Sequence, residues 1–584
     1  MKSEKFRKTV ENIIYPLSLI LLPLLTVNQG VDVSDSTYSL GNYMFAEGLE
    51  GMWVISTYLS NVLGALIVRL PGANRLLVAN IYTGLILAVV ALVAYYALKR
   101  EFEAAYVFLG ECIAVCLCWI PTGILYNYAS YLFMTIGAIL LLEGIVKNNS
   151  KLLFAAGIVL GLNVFVRIPN ITQMALILML WTEGIVAGRK LSDVAAKTGV
   201  CAGGYAVGLA IPLAAILNQY GFAGISNMIS GLTGITSTDA TYTPLSMIMD
   251  TLGAYVISAR WLAVILAVIL GGVVLYRIFP DRYTVVKTVI YLGVIAVMIR
   301  FFWGRGMFSF RYYEDYTAMY EWGMMALFLS LITDVYAVVG IGNKLKKGNN
   351  GDGIDKDRTK FVLAVMSLVI IAIAPLGSNN STYQNLNNMF LVMPITVVLS
   401  ADMIKKISSL GRRFVTFPIG IMVYAVLLCL LVQSFGFNLK FVFRDGMRGE
   451  ARDTQIEKLV SLKGMYTNRE RAESLEGLGE YIETIHPDAM VLFGDCPGLT
   501  YILGVPSALF TSWADLDSNP VEMIDEDLQK ISVMQDENIP VIIRKTELSG
   551  IHSAEKLDII MDFIAENDYM AVYDNSEYTV YRKD

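Results

Sequence analysis

Charge is scarce in this chain. Asp, Glu, Lys and Arg make up 16% of its 584 residues, where soluble proteins carry about 25%. Hydrophobic residues make up 55% and mean hydropathy is +0.56. The shortfall excludes an ordinary water-soluble enzyme and places the chain in a bilayer. A positive excess is missing too: the net charge is −6, so there is no basic footprint for nucleic acid. Six cysteines form no framework. Cys112, Cys116, Cys118, Cys201 and Cys429 fall in apolar runs, where a thiol packs as a small hydrophobe. Cys496 alone stands in a polar stretch. The run Cys112-x-x-x-Cys116-x-Cys118 has no histidine near it, so it reads as packing rather than as a metal site. A small-x-small cleavage signal is lacking after the apolar stretch Ile13–Val27, so an uncleaved first span is expected.

Long apolar runs are what the chain has instead. Runs of spanning length fall near Ile13–Val27, Leu77–Leu98, Ala104–Pro121, Tyr128–Val146, Leu152–Val166, Ile171–Val186 and Val200–Leu217. They continue near Trp261–Tyr276, Val285–Arg300, Ala318–Val339, Phe361–Leu376, Met389–Leu399 and Phe414–Phe435. This pattern predicts about 13 transmembrane helices. Every second connection carries the cations, as in Lys2/Lys5/Arg7/Lys8, Lys99/Arg100, Arg189/Lys190/Lys197 and Lys344/Lys346/Lys347. The positive-inside rule then puts the N-terminus in the cytoplasm and the C-terminal tail outside. The expected outer connections are residues 28–75, 218–260 and 301–317, with the polar segment Gly377–Asn388. Near Asn438 the composition changes: charge rises and the long apolar runs stop. Helical stretches at Arg469–Ile485, Asp525–Gln535 and Ala554–Glu566 alternate with strands at Met490–Phe493, Pro540–Arg544, Met570–Tyr573 and Tyr578–Tyr581. The division predicted is a membrane domain over 1–437 and an extracytoplasmic α/β domain over 438–584. The loop Phe493-Gly-Asp-Cys-Pro-Gly-Leu lacks dinucleotide spacing, so no cofactor is assigned to it.

The first outer connection opens with two acids, Asp32 and Asp35, followed by Tyr38 and Tyr43. A carboxylate at the boundary of water and lipid can have its proton affinity tuned and act as a general base. At helical spacing Asp35 and Tyr38 share a face. The cluster Ser34-Asp35-Ser36-Thr37 is also cap-like, so Asp35 reads equally well as a helix cap. Asp32 is the competing base, with a cap role less natural for it. Outward cations Arg69, Arg75, Arg167, Arg260, Arg305, Arg311 and Lys440 are candidates for an anionic leaving group, against the plainer reading of interfacial snorkelling. Arg167 stands out, in Arg167-Ile-Pro-Asn170 at the end of a span. Phe301 to Asp315 mixes aromatics with Arg305 and Arg311. Asn379 and Asn380 belong to an amide-rich segment suited to sugar hydroxyls, or to a plain polar turn. Glu111 stands mid-span, where an unpaired charge is costly.

Together these residues resemble the GT-C superfamily of polyprenyl-phosphate-sugar-dependent glycosyltransferases, whose members include bacterial lipid A aminoarabinose transferases and protein O-mannosyltransferases. The resemblance covers the architecture of the whole chain. Shared features are the number of spans, the acidic motif of the first outer loop with Tyr38 three positions after Asp35, the large second outer loop and the outer C-terminal domain. Where several branches carry a paired Asp-Glu, this chain has Ser34 before Asp35, which leaves Asp32 and Asp35 both open as the base. The resemblance implies transfer, with inversion, of a sugar from a polyprenyl-phosphate donor to an extracytoplasmic hydroxyl on a glycan, lipid or protein. Asp35 would take the proton, with Tyr38 nearby, and an outer cation such as Arg69 or Arg260 would hold the departing phosphate. Membrane lipid would be the medium of the donor, and a bacterial plasma membrane the setting. Some members need a divalent cation such as Mg or Mn, and that dependence is open here. A polytopic lipid or sugar transporter or flippase, or a non-catalytic cell-envelope assembly protein, is the alternative; no internal repeat of the transporter kind stands out.

Overall fold

Apolar runs without internal backbone partners other than themselves must coil into helices, and this chain does so nearly throughout. The computed structural model describes residues 2–48, 52–118, 123, 125–238, 243–308, 310, 316–346, 354–376, 380–445, 451–534, 538–548 and 550–583. Among the described residues, seven helices are long and apolar enough to cross a membrane: Leu76–Leu98, Leu125–Val146, Leu191–Ser230, Leu245–Ile278, Asp281–Gly304, Met319–Lys346 and Arg413–Lys440. Shorter apolar helices, Tyr58–Val68, Ala104–Leu117 and Ser150–Val164, join them. The chain is a multi-pass α-helical membrane protein with a small C-terminal sheet. Each of the thirteen apolar runs lies on helical backbone over most of its described length, although several of those helices are shorter than a full crossing or broken. The first passes from α-helix through a π-helical turn at Val10–Ile14 and ends in a 3-10 turn at Leu22–Leu24.

The segment expected as the second outer connection is mostly helical. One helix runs Leu191–Thr238 with a kink at Gly221, and the next runs Pro244–Ile278. At Gly221 φ is 67° and ψ −179°, a conformation that essentially only glycine adopts. Pro244 opens the following helix, where its missing N–H costs nothing. Small residues set how closely the bundle packs. Gly157 and Gly161 on the helix Ser150–Val164 face Gly204 and Gly208 on the long helix. A Cβ at Gly157 or Gly161 would collide with the Cys201 or Tyr205 carbonyl, and one at Gly204 or Gly208 with the Phe154 or Ile158 carbonyl. Each pair has the four-residue spacing that lets helix backbones touch. Glu111 is fully buried on Ala104–Leu117, and neither of its carboxyl oxygens has a hydrogen-bond partner.

Past the last long helix the chain pairs β1 (Thr454–Gln455) with β2 (Tyr466–Thr467), then builds a four-stranded sheet from β3 (Val491–Phe493), β4 (Val541–Arg544), β5 (Tyr569–Asp574) and β6 (Tyr578–Lys583). The order is β3-β4-β6-β5, with β3 and β4 parallel and the other pairs antiparallel. Helices Arg469–Ile485, Val521–Ser532 and Ser553–Glu566 alternate with the strands, as the sequence pattern predicts. Because strand side chains alternate between faces, the sheet serves two cores. Val491, Phe493 and Val541 pack with Ile524, Leu528 and Phe563. Leu492, Ile542 and Val580 pack with Leu475 and Leu478, and this second core continues into Val31, Val33, Leu40 and Leu76. The segment after the first apolar run is thus built into the α/β domain. Backbone bonds confirm the join: Gly30 N–H donates to the Tyr466 carbonyl (2.7 Å), Tyr466 N–H to Asn28 (2.8 Å), and Gly498 N–H to Val33 (2.8 Å).

Candidate active site

The two aspartates that follow the first apolar run have different fates. The helix Asp35–Met44 begins at Asp35, so its first N–H groups lack intrahelical partners. Asp32 supplies one: its Oδ1 accepts from Ser34 N–H (2.8 Å) and Ser34 Oγ (2.5 Å), and its Oδ2 accepts from Ser36 N–H (2.8 Å). The capping role expected for Asp35 therefore falls to Asp32, which is 5% exposed. Asp35 is left with its carboxylate directed elsewhere. Its Oδ2 lies 3.4 Å from Arg444 Nε, and about a quarter of its side chain is exposed (26%).

Arg444 follows the last long helix and reaches into the α/β domain. Its Nη1 donates to both oxygens of Asp495, at 2.9 and 2.7 Å, and to Ser34 Oγ at 3.3 Å. Its guanidinium lies 5.8 Å from the Trp513 ring. Asp495 stands just past the carboxyl end of β3 with φ at 55°. Its N–H donates to Asp515 Oδ2 (2.7 Å), and its carbonyl accepts from Arg544 Nη1 (3.2 Å). Arg544 closes the adjacent parallel strand β4. The carboxyl ends of parallel strands are where open α/β sheets present their ligand sites. Trp513 meets Tyr38 edge to face, with ring centroids 5.2 Å apart. Tyr38 is itself buried, and burial pushes its phenol up to about 12. It packs one turn from Asp35, and its own surface is enclosed.

Enclosure dominates the electrostatics of Asp35. Burial, reinforced by Asp32 and Asp495 and opposed by Arg444, raises it from 3.8 to about 7. A cavity of about 630 Å³ is lined by Asp32, Ser34, Arg444, Asp495, Asp515 and Arg544; Asp35 does not line it but reaches its wall through Arg444 at 3.4 Å. Among the described residues no group of three or more His, Cys, Asp and Glu is disposed to hold a metal ion. The acids at this junction are spread along an arginine, Asp35 and Asp495 each on Arg444.

The remaining candidates are placed as follows. Arg69 pairs with Glu47 at 3.4 Å, and both side chains are exposed. Arg260 pairs with the buried Glu321 at 3.2 Å and lies over Trp261. Arg305 lies over Phe301. Arg311 and Asn379 fall outside the described residues, and Asn380 is an exposed turn residue whose carbonyl accepts from Tyr383 N–H (3.1 Å). Arg167 is better situated. It lines a pocket of about 50 Å³ with Asn170, Gln173, Gln384 and Asn388, so two separate polar segments of the sequence meet. Asn163 Nδ2 donates to Gln173 Oε1 (2.8 Å), and Asn170 Nδ2 to Ser130 Oγ (2.8 Å). Asn388 is 7% exposed and its Oδ1 has no partner. Arg167 lies 5.7 Å from the Tyr126 ring, and Tyr126 is an electrostatic neighbour of Tyr38.

Sequence reasoning missed Arg444, Asp495, Trp513 and Arg544. A signal existed for Asp495, which follows a glycine at the end of a buried strand. None existed for Arg444, which meets Ser34 across 410 residues of chain. No family model and no curated protein matches this chain. Among solved structures it is similar to the crystal structure of ArnT from Cupriavidus metallidurans in the apo state, at 12% identity and a TM-score of 0.36, over 98% of this chain and 97% of that one.

Proposed function

We propose that this chain is a membrane glycosyltransferase of the GT-C type, with Asp35 as its general base. One observation carries the reading. Asp35 is excused from capping by Asp32, and enclosure lifts it to about 7. A carboxylate with that proton affinity is matched to accepting a proton at neutral pH. The donor is a sugar on a polyprenyl phosphate, and the acceptor a hydroxyl on the extracytoplasmic side. Asp35 takes the hydroxyl proton as the oxygen bonds to the anomeric carbon. The bond from that carbon to the phosphate oxygen breaks with inversion, and the electron pair leaves on the polyprenyl phosphate. Proton uptake neutralises Asp35, so Arg444 loses one of its two anionic partners at the moment a phosphate gains charge. Arg444 is therefore a better partner for the leaving group than Arg69 or Arg260, which are engaged by Glu47 and Glu321.

The donor's tail lies along the exposed apolar helices and its head at the junction. The acceptor enters through the cavity of about 630 Å³. Seven carboxylate residues and four cationic ones line it. That balance favours a neutral or amine-bearing hydroxyl compound over a polyphosphate. The test is transfer of labelled sugar from a set of polyprenyl-phosphate sugars in membranes containing the protein. Asp35→Asn is expected to slow transfer by at least about 10²-fold, the usual scale for a general base, at unchanged expression. Full activity in that variant would end Asp35's candidacy, and loss in Asp32→Asn alone would move the role to Asp32.

A further inference from the structure

We propose that Asp495 of the α/β domain is a positioning residue for Asp35: it holds Arg444 from the far side, so that the guanidinium is shared and Asp35 stays able to accept a proton. The inference rests on Asp35 being the base.

The distances assign the two carboxylates unequal shares. Asp495 takes Arg444 through both oxygens at 2.9 and 2.7 Å, while Asp35 keeps a single approach at 3.4 Å. A carboxylate fully paired with arginine is locked in its ionised form and makes a poor base. Asp495 prevents that by drawing the guanidinium toward itself. It is fixed for the purpose at a left-handed φ of 55°, with its N–H on Asp515 and its carbonyl on Arg544. Trp513 lies over the guanidinium at 5.8 Å, so the arginine is flanked by an aromatic ring as well as by the two acids. The groups that face Asp35 are Asp32 from the preceding turn, Tyr38 from its own helix, Arg444 from the segment after the last long helix, and Asp495 from the β3 loop. Asp32 is held by Ser34 and Ser36, which leaves Asp495 as the member whose removal redirects Arg444. The base and its tuning partner thus lie on opposite sides of the seam between membrane helices and sheet.

The test does not need the natural substrates. Dicyclohexylcarbodiimide modifies protonated carboxyl groups in apolar surroundings, and peptide mass spectrometry reads the modification at Asp35 against pH in the full-length protein in nanodiscs. The wild-type midpoint is expected near 7. In Asp495→Asn, Arg444 turns to Asp35 and the midpoint falls by about 1 to 3 pH units; Asp495→Glu restores most of it. Asp515→Ala, which removes the acceptor of the Asp495 N–H, gives a smaller fall and serves if Asp495→Asn does not fold. A purely structural Asp495 would lower the melting temperature and leave the midpoint in place, and an unmoved midpoint in both variants overturns the proposal. A wild-type midpoint near 4 instead overturns Asp35 as the base, which keeps the two failures apart.

Discussion

Asp32 and Asp35 show how three residues of spacing separate two chemistries. Asp32 meets the unpaired N–H groups at the start of a helix, and a lost cap of this kind costs about 0.5–2 kcal/mol. Asp32→Ala should therefore lower stability by roughly 1 kcal/mol, read as a shift in thermal unfolding, while Asp35→Asn, which removes a carboxyl that resists ionisation in the fold, raises the unfolding midpoint at neutral pH. The pH dependence follows from the raised carboxyl. Folded Asp35 holds its proton up to about 7, against 3.8 ordinarily. Between those values the folded state binds more protons than the unfolded one, so Asp35's contribution to stability falls as pH rises through the window. The proposed activity runs the other way, because Asp35 would accept a proton only when deprotonated. Transfer rate should fall as pH drops below about 7, and a pH–rate profile checks it. An acid limb at pH 4 would contradict the proposed role.

At the scale of elements, close helix packing is the exposed point. Gly157 and Gly161 meet Gly204 and Gly208 with backbone nearly touching backbone. Gly161→Leu forces the Tyr205 carbonyl away, and such overpacking costs about 1–3 kcal/mol or more. The expected readout is a lower melting temperature in detergent, with an equal loss for Gly204→Leu and a less than additive loss for the double variant. Gly221 is the other pressure point, since its φ of 67° and ψ of −179° suit no other residue. The helices of 218–260 were read as a connection because polar and glycine residues interrupt the apolar run there. Such residues mark a break in hydropathy where one helix gives way to the next: the backbone leaves helical geometry at Gly221, and a second helix continues to Thr238. Helix and strand positions within 469–583 were legible because alternation and 3.6-residue periodicity are local. The short helix Leu499–Leu503 was not, being only five residues long.

Across the whole molecule, the seam between the segment after the first apolar run and the sheet decides whether a site exists. A Cβ at Gly498 would collide with Thr37 Oγ1, and one at Gly41 with Thr500 Oγ1. Gly498→Val should thus pry the helix Asp35–Met44 from the α/β domain. Faster proteolysis between residues 445 and 469, with loss of transfer, is the expected result; unchanged proteolysis and activity would show that the seam tolerates separation. Val31 N–H donates to Asp445 (2.6 Å), and Arg471 joins Asp445 at 3.3 Å, so the junction has polar ties beside its shared core.

By itself the sequence determined that the chain lives in a bilayer, that its backbone is mostly helical, that an α/β unit follows the last long helix, and that Asp32 and Asp35 follow the first apolar run. Hydropathy, periodicity and composition are properties of neighbours along the chain, so these survive any arrangement of the helices. Tertiary structure alone decided that Asp32 caps the helix, that Asp35 is enclosed, and that Arg444 lies between Asp35 and Asp495. A carboxylate's proton affinity depends on burial and on charges a few ångströms away, and here two of those charges, Arg444 and Asp495, arrive from more than 400 residues further along the chain while Asp32 is a neighbour in sequence.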